Sequence, residues 1–318
     1  MAELPPAEKI NIPELAEKYI NGEYDLICIL GPTASGKTRY AVKVAREINS
    51  LIASGRINSA SGAEIISADS RQVYRGMDIG TGKDLREYEE IPYHLIDIAG
   101  AGTKYNIYEY QKDFENAYSQ IRKKGGIPIL CGGSGLYIEA ATCGYSLPEV
   151  PADATLREEL EKKDTDTLIG MLASLKPLHN STDYDSRKRL IRALEIAIYE
   201  KEHPVTCSCH LPKKTCYLGT LVTREERNAK IDKRLKERLE EGMVREVEKL
   251  LESGIAAEDL IYYGLEYKFV TLYLQGILTL EEMTDQLATA IHQFAKRQMT
   301  WFRGMERKGI RIHWTKAD

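Results

Sequence analysis

Residues 31 to 38 read GPTASGKT and lie between the apolar run LICIL and a segment of helix-forming residues. The spacing Gly-x4-Gly-Lys-Thr is typical of a loop whose backbone N–H groups surround phosphate oxygens, with a lysine charge and a hydroxyl that suits Mg²⁺. Such a loop joins a buried strand to a helix, so it restricts the fold strongly. The predicted phosphate-binding residues are Gly31, Pro32, Thr33, Ala34, Ser35, Gly36, Lys37 and Thr38, with Thr38 as the metal ligand.

Strand-like and helix-like segments alternate from residue 25 to residue 143. The strand-like segments are YDLICIL, EIISAD, YHLIDI and IPILCGG. This alternation is typical of a parallel sheet with crossover helices. We therefore predict an α/β fold with a P-loop NTPase-like parallel sheet core, whose first part covers residues 1–143.

Residues 144–203 break the alternation. Prolines in GYSLPEVPAD mark a boundary, and charged helical stretches follow at 156–163, 165–175 and 186–201 without a convincing strand. We predict a helical insertion domain there, followed by the second part of the core at 204–318. That part is mostly helical, with a strand in CYLGTLVT, a helical run over 230–254 ending at glycine, a helix over 279–304 with a threonine cap, and a final strand, RIHW.

The composition indicates the cellular location of the protein more than its function. The formal net charge is −4, which argues against a surface that is positive everywhere but permits a local basic groove. The first residues, MAELPPAEK, lack the basic head and apolar stretch of a signal peptide, and nowhere do 18 apolar residues run together. We expect a cytoplasmic monomer without a membrane partner.

A second motif, SADSRQVYRGMDIGTGK, covers residues 67 to 83 and begins at the end of the strand-like segment EIISAD. Ligands of open α/β sheets bind outside the carboxyl ends of the strands, so Asp69 is expected to face the phosphate-binding loop. A carboxylate there can hold magnesium through water, or it can act as a general base toward an acceptor nucleophile. Spacing alone does not choose between these two roles.

Six motifs together resemble the tRNA dimethylallyltransferase (tRNA isopentenyltransferase) family: GPTASGKT, SADSRQVYRGMDIGTGK, HLIDI, GGSGLYI, RALE and AKRQMTWFR. The resemblance extends over residues 25 to 316. It implies transfer of a dimethylallyl group from dimethylallyl diphosphate to the exocyclic N6 of the adenine just 3′ of the anticodon. The implied partners are that diphosphate and the anticodon stem-loop of tRNA, and the implied cofactor is Mg²⁺.

The resemblance also implies roles for single residues, with a catalytic set of Asp69, Thr38 and Arg234. Loops of this kind are usual in ATP-binding and other nucleotide-binding proteins, but in this family the loop binds a diphosphate that leaves. Lys37, magnesium on Thr38 and Arg234 would neutralise the charge that grows on this leaving group. The adenine amine is a weak nucleophile because its lone pair is delocalised, which favours Asp69 as the general base.

Contacts with tRNA are implied for Asp69, Ser70, Arg71, Gln72, Ser134, Arg157, Lys188, Arg189 and Arg192. The last three lie in RKRLIR, which has four positive charges in six residues. Such a cluster is often only a solvated helix face, but on an insertion beside the active site it also suits RNA phosphates. Lys296, Arg297 and Gln298 on the late helix are expected to extend the same groove.

Three positions depart from the family pattern. The segment Gly264-Leu265-Glu266 stands where a Gly-Tyr-Arg or Gly-Tyr-Lys contact to tRNA is common, Lys230 replaces an arginine, and Ser134 replaces a threonine. Alternative functions are an adenylate isopentenyltransferase, which uses a free nucleotide and lacks much of the insertion, and a small-molecule P-loop kinase, which needs an adenine pocket and an arginine-rich lid. A nucleotide-dependent switch would leave the motif around Asp69 unexplained.

Overall fold

The computed structural model describes residues 4–144, 149–175, 186–203 and 210–317. The helices are α1 (Ile12–Ile20), α2 (Lys37–Ala53), α3 (Ile107–Lys123), α4 (Gly135–Thr142), α5 (Ala154–Glu161), α6 (Thr165–Leu175), α7 (Arg187–Glu202), α8 (Arg224–Glu241), α9 (Met243–Glu252), α10 (Ala257–Tyr263), α11 (Leu265–Leu274) and α12 (Leu280–Arg307). The strands are β1 (Leu26–Leu30), β2 (Ala63–Ala68), β3 (Tyr74–Arg75), β4 (Tyr93–His94), β5 (Ala99–Gly100), β6 (Ile127–Gly132), β7 (Thr215–Leu221) and β8 (Ile312–Lys316).

Six strands form one parallel sheet in the order β4-β2-β6-β1-β7-β8, and β3 pairs separately with β5. Every residue of β1 is buried, as a strand covered on both faces requires. Apolar side chains of α1 and α2 cover one face of the sheet, and those of α3, α4 and the end of α12 cover the other. The predicted parallel α/β sheet is confirmed.

The carboxyl ends of the four central strands lie level with one another. Leu30 of β1 pairs with Gly132 of β6 and with Gly219 of β7, and Gly132 pairs with Ala68 of β2. A Cβ on Gly132 would lie 2.2 Å from the carbonyl oxygen of Ala68, so this close approach requires glycine. Gly31, Asp69 and Gly133 directly follow β1, β2 and β6, so they lie at one edge of the sheet, beside Thr220 near the end of β7.

Two predicted elements are interrupted in the structure. The segment YHLIDI is a strand only at Tyr93–His94, because Leu95 and Asp97 have left-handed φ angles of 62° and 57°. The helical run over 230–254 is divided into α8 and α9 at Gly242, whose φ of 104° ends a helix. The threonine cap predicted for the late helix is confirmed, since Thr279 forms a capping box with Glu282.

Internal contacts divide the chain into two compact units. The core unit comprises Met1–Tyr145 and His210–Asp318, and the helical unit comprises Ser146–Cys209. The described residues of the helical unit form α5, α6 and α7, which bury a small leucine-rich cluster. Within the described ranges, no helix combines the length and apolar character that crossing a bilayer requires.

Candidate active site

The phosphate-binding loop between β1 and α2 is tightly packed against β7. The hydroxyl oxygens of Ser35 and Thr220 lie 2.6 Å apart, and a Cβ on Gly31 would lie 2.1 Å from Oγ1 of Thr220. Gly36 has a left-handed φ of 80° and precedes the first residue of α2. The first N–H groups of a helix lack intrahelical partners and attract anions. The start of α2 therefore offers backbone N–H groups that could bind an anion.

A glutamine of α12 holds this loop in place. Gln298 is 8% exposed, accepts a hydrogen bond from the backbone N–H of Thr33 (2.8 Å) and donates one to the carbonyl of Gly133 (2.9 Å). Its amide thus connects the loop after β1 to the loop after β6. Because both ends of the amide are used within the protein, Gln298 positions the loop, and it does not fit the expected role of extending an RNA groove.

A cavity of about 430 Å³ in the core unit connects the first two motifs. The predicted residues that line it are Thr33, Lys37, Thr38, Asp69, Ser70, Arg71, Gln72, Ser134 and Arg234. A second cavity of about 460 Å³ adjoins the loop and has four lining residues in common with the first: Lys37, Thr38, Arg234 and Arg238. The cationic groups of the site therefore lie where two open spaces meet.

Lys37 is the cation of the loop itself. Burial lowers the pKa of its ammonium group, because the charged form loses hydration, while the negative charge of Asp69 opposes this shift. A bound polyanion would restore the lost stabilisation of the charged form. Lys37 is therefore suited to a site that an anion fills.

Asp69 follows β2 and is held by a local turn. Its Oδ1 accepts a hydrogen bond from the backbone N–H of Arg71 at 2.9 Å. Ser134, which follows β6, accepts a hydrogen bond from the backbone N–H of Ser70 at 3.1 Å. The side chain of Gln72 is buried and donates to the carbonyl of Gly82 at 3.2 Å. Among the described residues, Oδ2 of Asp69 has no hydrogen-bond partner, so it is available to a ligand.

Two arginines four residues apart on α8 reach the cavity. Arg234 donates to the carbonyl of Gly82 at 3.2 Å and forms an ion pair with Asp84. Arg238, whose side chain is 11% exposed, lies 3.7 Å from the carboxylate of Glu266. Sequence reasoning found Arg234 and missed Arg238, although the spacing of four within one helix would have indicated it.

Glu266 stands where the family pattern commonly has a basic residue. Burial raises the pKa of its carboxyl group, and the nearby guanidinium of Arg238 opposes that shift. The pKa of Arg238 is lowered by burial and by the charge of Arg234, while Glu266 opposes this. The departure at this position therefore places a buried carboxylate opposite Arg238 in the cavity wall.

A carboxylate from α9 organises the loop that carries Gly82. Glu246 accepts hydrogen bonds from the backbone N–H groups of Asp78 and Ile79, both at 2.8 Å, and of Gly80 at 3.0 Å. It also accepts one from the hydroxyl of Tyr267 at 2.7 Å. Four donors on one carboxylate fix the loop beside Arg234. No motif had indicated Glu246, since its partners are more than 160 residues away for the backbone contacts.

In the helical unit, two of the candidate tRNA-binding arginines share one buried carboxylate. Glu195, whose side chain is 2% exposed, accepts from Arg157 at 2.8 and 3.0 Å and also pairs with Arg192. Burial alone would raise the pKa of Glu195, but these arginines and the N–H of Asp153 hold it below its usual value. Lys188 and Arg189 are exposed at the start of α7.

A model of the IPP transferase family matches residues 72–305. The chain is 54% identical to a tRNA dimethylallyltransferase 2 of Bacteroides fragilis over 300 residues, which cover 93% of this chain and 94% of that relative. It is 55% identical to a tRNA dimethylallyltransferase 2 of Porphyromonas gingivalis over 296 residues, covering 92% and 94%.

Solved structures give the same likeness. A tRNA isopentenylpyrophosphate transferase of Bacillus halodurans is 32% identical, with a TM-score of 0.64 and coverage of 92% of this chain and 89% of that chain. A eukaryotic dimethylallyltransferase acting on tRNA is 25% identical, with a TM-score of 0.72 and coverage of 92% and 73%. The predicted P-loop NTPase-like fold class is thereby confirmed.

Proposed function

The chain belongs to the IPP transferase family, and we propose that it transfers a dimethylallyl group from dimethylallyl diphosphate to N6 of the adenine 3′ of the anticodon in tRNA. The observation that carries this proposal is the single cavity shared by the phosphate-binding loop, Asp69, Ser134 and Arg234. We also propose that the protein acts as a monomer.

The donor diphosphate fits the point where the two cavities meet. Lys37, Arg234 and Arg238 offer positive charge there, and the first turn of α2 offers backbone N–H groups. Apolar side chains of Ile261, Leu265, Ile291 and Phe294 line the first cavity and suit an isoprenyl chain. In the reaction the bond from carbon to the diphosphate oxygen breaks, and the cations stabilise the charge that develops on the leaving group.

Asp69 is the proposed acceptor of the amine proton. The adenine nitrogen forms its bond to the allylic carbon and loses one proton. Oδ2 of Asp69, which has no hydrogen-bond partner among the described residues, accepts this proton. The hydrogen bond from Arg71 to Oδ1 keeps the carboxylate oriented throughout. A positioned base of this kind typically contributes about 10²- to 10⁴-fold to the rate.

The donor set around the loop also fits Mg²⁺. Among the described residues no cluster of three or more His, Cys, Asp or Glu side chains is placed to hold a metal. Mg²⁺ usually keeps several waters and binds one or two protein oxygens together with substrate phosphates, so the hydroxyl of Thr38 in the cavity is a suitable ligand. A bound Mg²⁺ would add positive charge to the diphosphate oxygens.

The decisive experiment supplies purified protein with Mg²⁺, dimethylallyl diphosphate and unmodified tRNA, followed by mass analysis of the nucleosides after digestion. We expect one dimethylallyl group on the adenosine 3′ of the anticodon. A parallel reaction contains adenosine monophosphate as the acceptor. Faster prenylation of the mononucleotide than of tRNA would replace this proposal with an adenylate isopentenyltransferase.

A further inference from the structure

A cleft of about 560 Å³ in the core unit lies outside the catalytic cavity. It is lined by the end of β7, the first turn of α8 and one face of α12. Lys296 and Met299 of α12 line this cleft, whereas Arg297 and Gln298 line the catalytic cavity. The two spaces are therefore neighbours along one helix, near the same edge of the sheet.

The cleft has an excess of positive charge. Its lining includes the cationic side chains of Arg224, Arg227, Lys296 and Arg303, against one carboxylate, that of Glu225. Within the described parts of the chain, none of these four cations forms an ion pair, since no carboxylate oxygen lies within 4.0 Å of their nitrogen atoms. Four cations in one concave surface repel one another unless an anion joins them.

Arg227 is the unusual member of this set. It is 8% exposed, its Nε has no hydrogen-bond partner among the described residues, and one weak bond of 3.5 Å joins it to Asn228. It shares a face of α8 with the buried Ile231 and Leu235, where periodicity calls for an apolar residue. A buried cation without a counter-charge is costly.

The position of Arg227 in its helix increases this cost. Arg224 and Arg227 lie in and directly after the first turn of α8, where the helix dipole disfavours positive charge. Burial lowers the pKa of Arg227, and the charge of Arg224 lowers it further. The charge of Glu225 opposes part of this shift. No carboxylate of the described residues forms an ion pair with Arg227, so an anion from outside the chain would stabilise its charged form further.

We propose that this cleft binds a backbone phosphate of the RNA substrate, with Arg227 as its buried cation and Arg224, Lys296 and Arg303 around it. The inference rests on the proposed function, because it takes the ligand to be the RNA that also reaches the catalytic cavity. Guanidinium groups match phosphate geometry, and the exposed cations extend over two helices, as a strand of successive phosphates requires.

The test compares Arg227→Met with Arg245→Met, which removes the same charge from an exposed, ion-paired arginine of α9. Binding of a synthetic anticodon stem-loop RNA is measured at several salt concentrations. We expect Arg227→Met to weaken binding and to make the slope of log K against log salt shallower by about 0.7. Its melting temperature should be unchanged or higher, since a methionine suits this apolar face. Arg245→Met should leave the slope unchanged.

Three results would overturn the inference. An unchanged salt slope in Arg227→Met, while the wild type prenylates tRNA, removes the cleft from RNA binding and leaves the proposed function intact. A lower melting temperature with unchanged slope makes Arg227 a structural residue. If Arg227→Met loses affinity for inorganic phosphate but not for the RNA, the cleft serves a free phosphoanion. Wild type that fails to prenylate tRNA contradicts the proposed function itself.

Discussion

Asp69 combines two properties that a base at this position needs. One carboxylate oxygen accepts a hydrogen bond from the N–H of Arg71. Asp69 also directly follows β2, at the edge of the sheet where the central strands end. An amide at this position would keep the hydrogen bond but could not accept a proton. The position therefore separates the orientation of the group from its acid–base function.

Asp69→Asn should lower kcat by about 100-fold or more and change both KM values little, because proton acceptance matters mainly in the transition state. Steady-state kinetics with tRNA and dimethylallyl diphosphate measure this effect. Recovery of kcat at high magnesium would identify Asp69 as a metal holder instead.

The charge of the Lys37 ammonium group is expected to make donor binding depend on pH. Under the proposed function its charged form binds the donor diphosphate, and burial lowers its pKa. We therefore expect kcat/KM for dimethylallyl diphosphate to fall with rising pH, with a midpoint below the value of about 10.4 that is usual for lysine. Lys37→Arg should remove this alkaline limb, and Lys37→Ala should lower turnover by about tenfold or more. An alkaline limb that persists in Lys37→Arg would belong to another group.

At the scale of elements, α9 acts on the site through the loop that it holds. Glu246 binds three backbone N–H groups, and the same loop presents Gly82 and Asp84 to Arg234. A helix outside the proposed catalytic set thus positions Arg234, which belongs to it.

Glu246→Gln replaces an acceptor oxygen by a donor and should destabilise the protein by about 1–3 kcal/mol. Because the loop loosens beside Arg234, we also expect kcat to fall. Glu248→Gln, which removes a surface carboxylate paired with Arg245, should change stability by less than about 0.5 kcal/mol. Urea unfolding and turnover of both variants check this, and equal effects would show that general charge matters and the loop contact does not.

Local motifs predicted the strands, the phosphate-binding loop and Asp69, because each depends on residues close together in the chain. Glu246 was missed, and nothing in the sequence indicated that Gln298 holds the phosphate-binding loop or that Glu266 faces Arg238, since these contacts join distant segments. The end of β4 depends on the φ angles of Leu95 and Asp97, which the apolar pattern of YHLIDI does not reveal. The periodicity of apolar residues predicts which face of a helix or strand is buried, but it does not predict which distant residues that face contacts.

At the scale of the whole molecule, the helical unit has two kinds of cationic side chain, those paired with a buried carboxylate and those exposed at the surface. Arg157 and Arg192 satisfy the buried Glu195, whereas Lys188 and Arg189 are exposed. Reversal of the first two would leave a buried carboxylate without its partners. The exposed pair is therefore the better place to test for contacts with tRNA.

Lys188→Glu combined with Arg189→Glu should raise KM for tRNA strongly and leave that for dimethylallyl diphosphate nearly unchanged. Each lost phosphate contact should also make the dependence of log K on log salt shallower by about 0.7 to 0.9. Lys162→Glu combined with Lys201→Glu, at two other exposed positions of the helical unit, is the control with the same charge change and should have little effect. Similar losses in both variants would indicate a general effect of net charge on RNA binding.

The amide of Gln298 ties the earliest motif of the chain to its last long helix. During synthesis, residues 31 to 38 leave the ribosome long before residue 298 is added. β1 also cannot pair with β7 until residues 215–221 have been made. A nascent chain therefore carries a phosphate-binding sequence without a finished phosphate-binding loop. Under the proposed function, an incomplete chain would therefore not bind the donor diphosphate, because the loop is completed only near the end of synthesis.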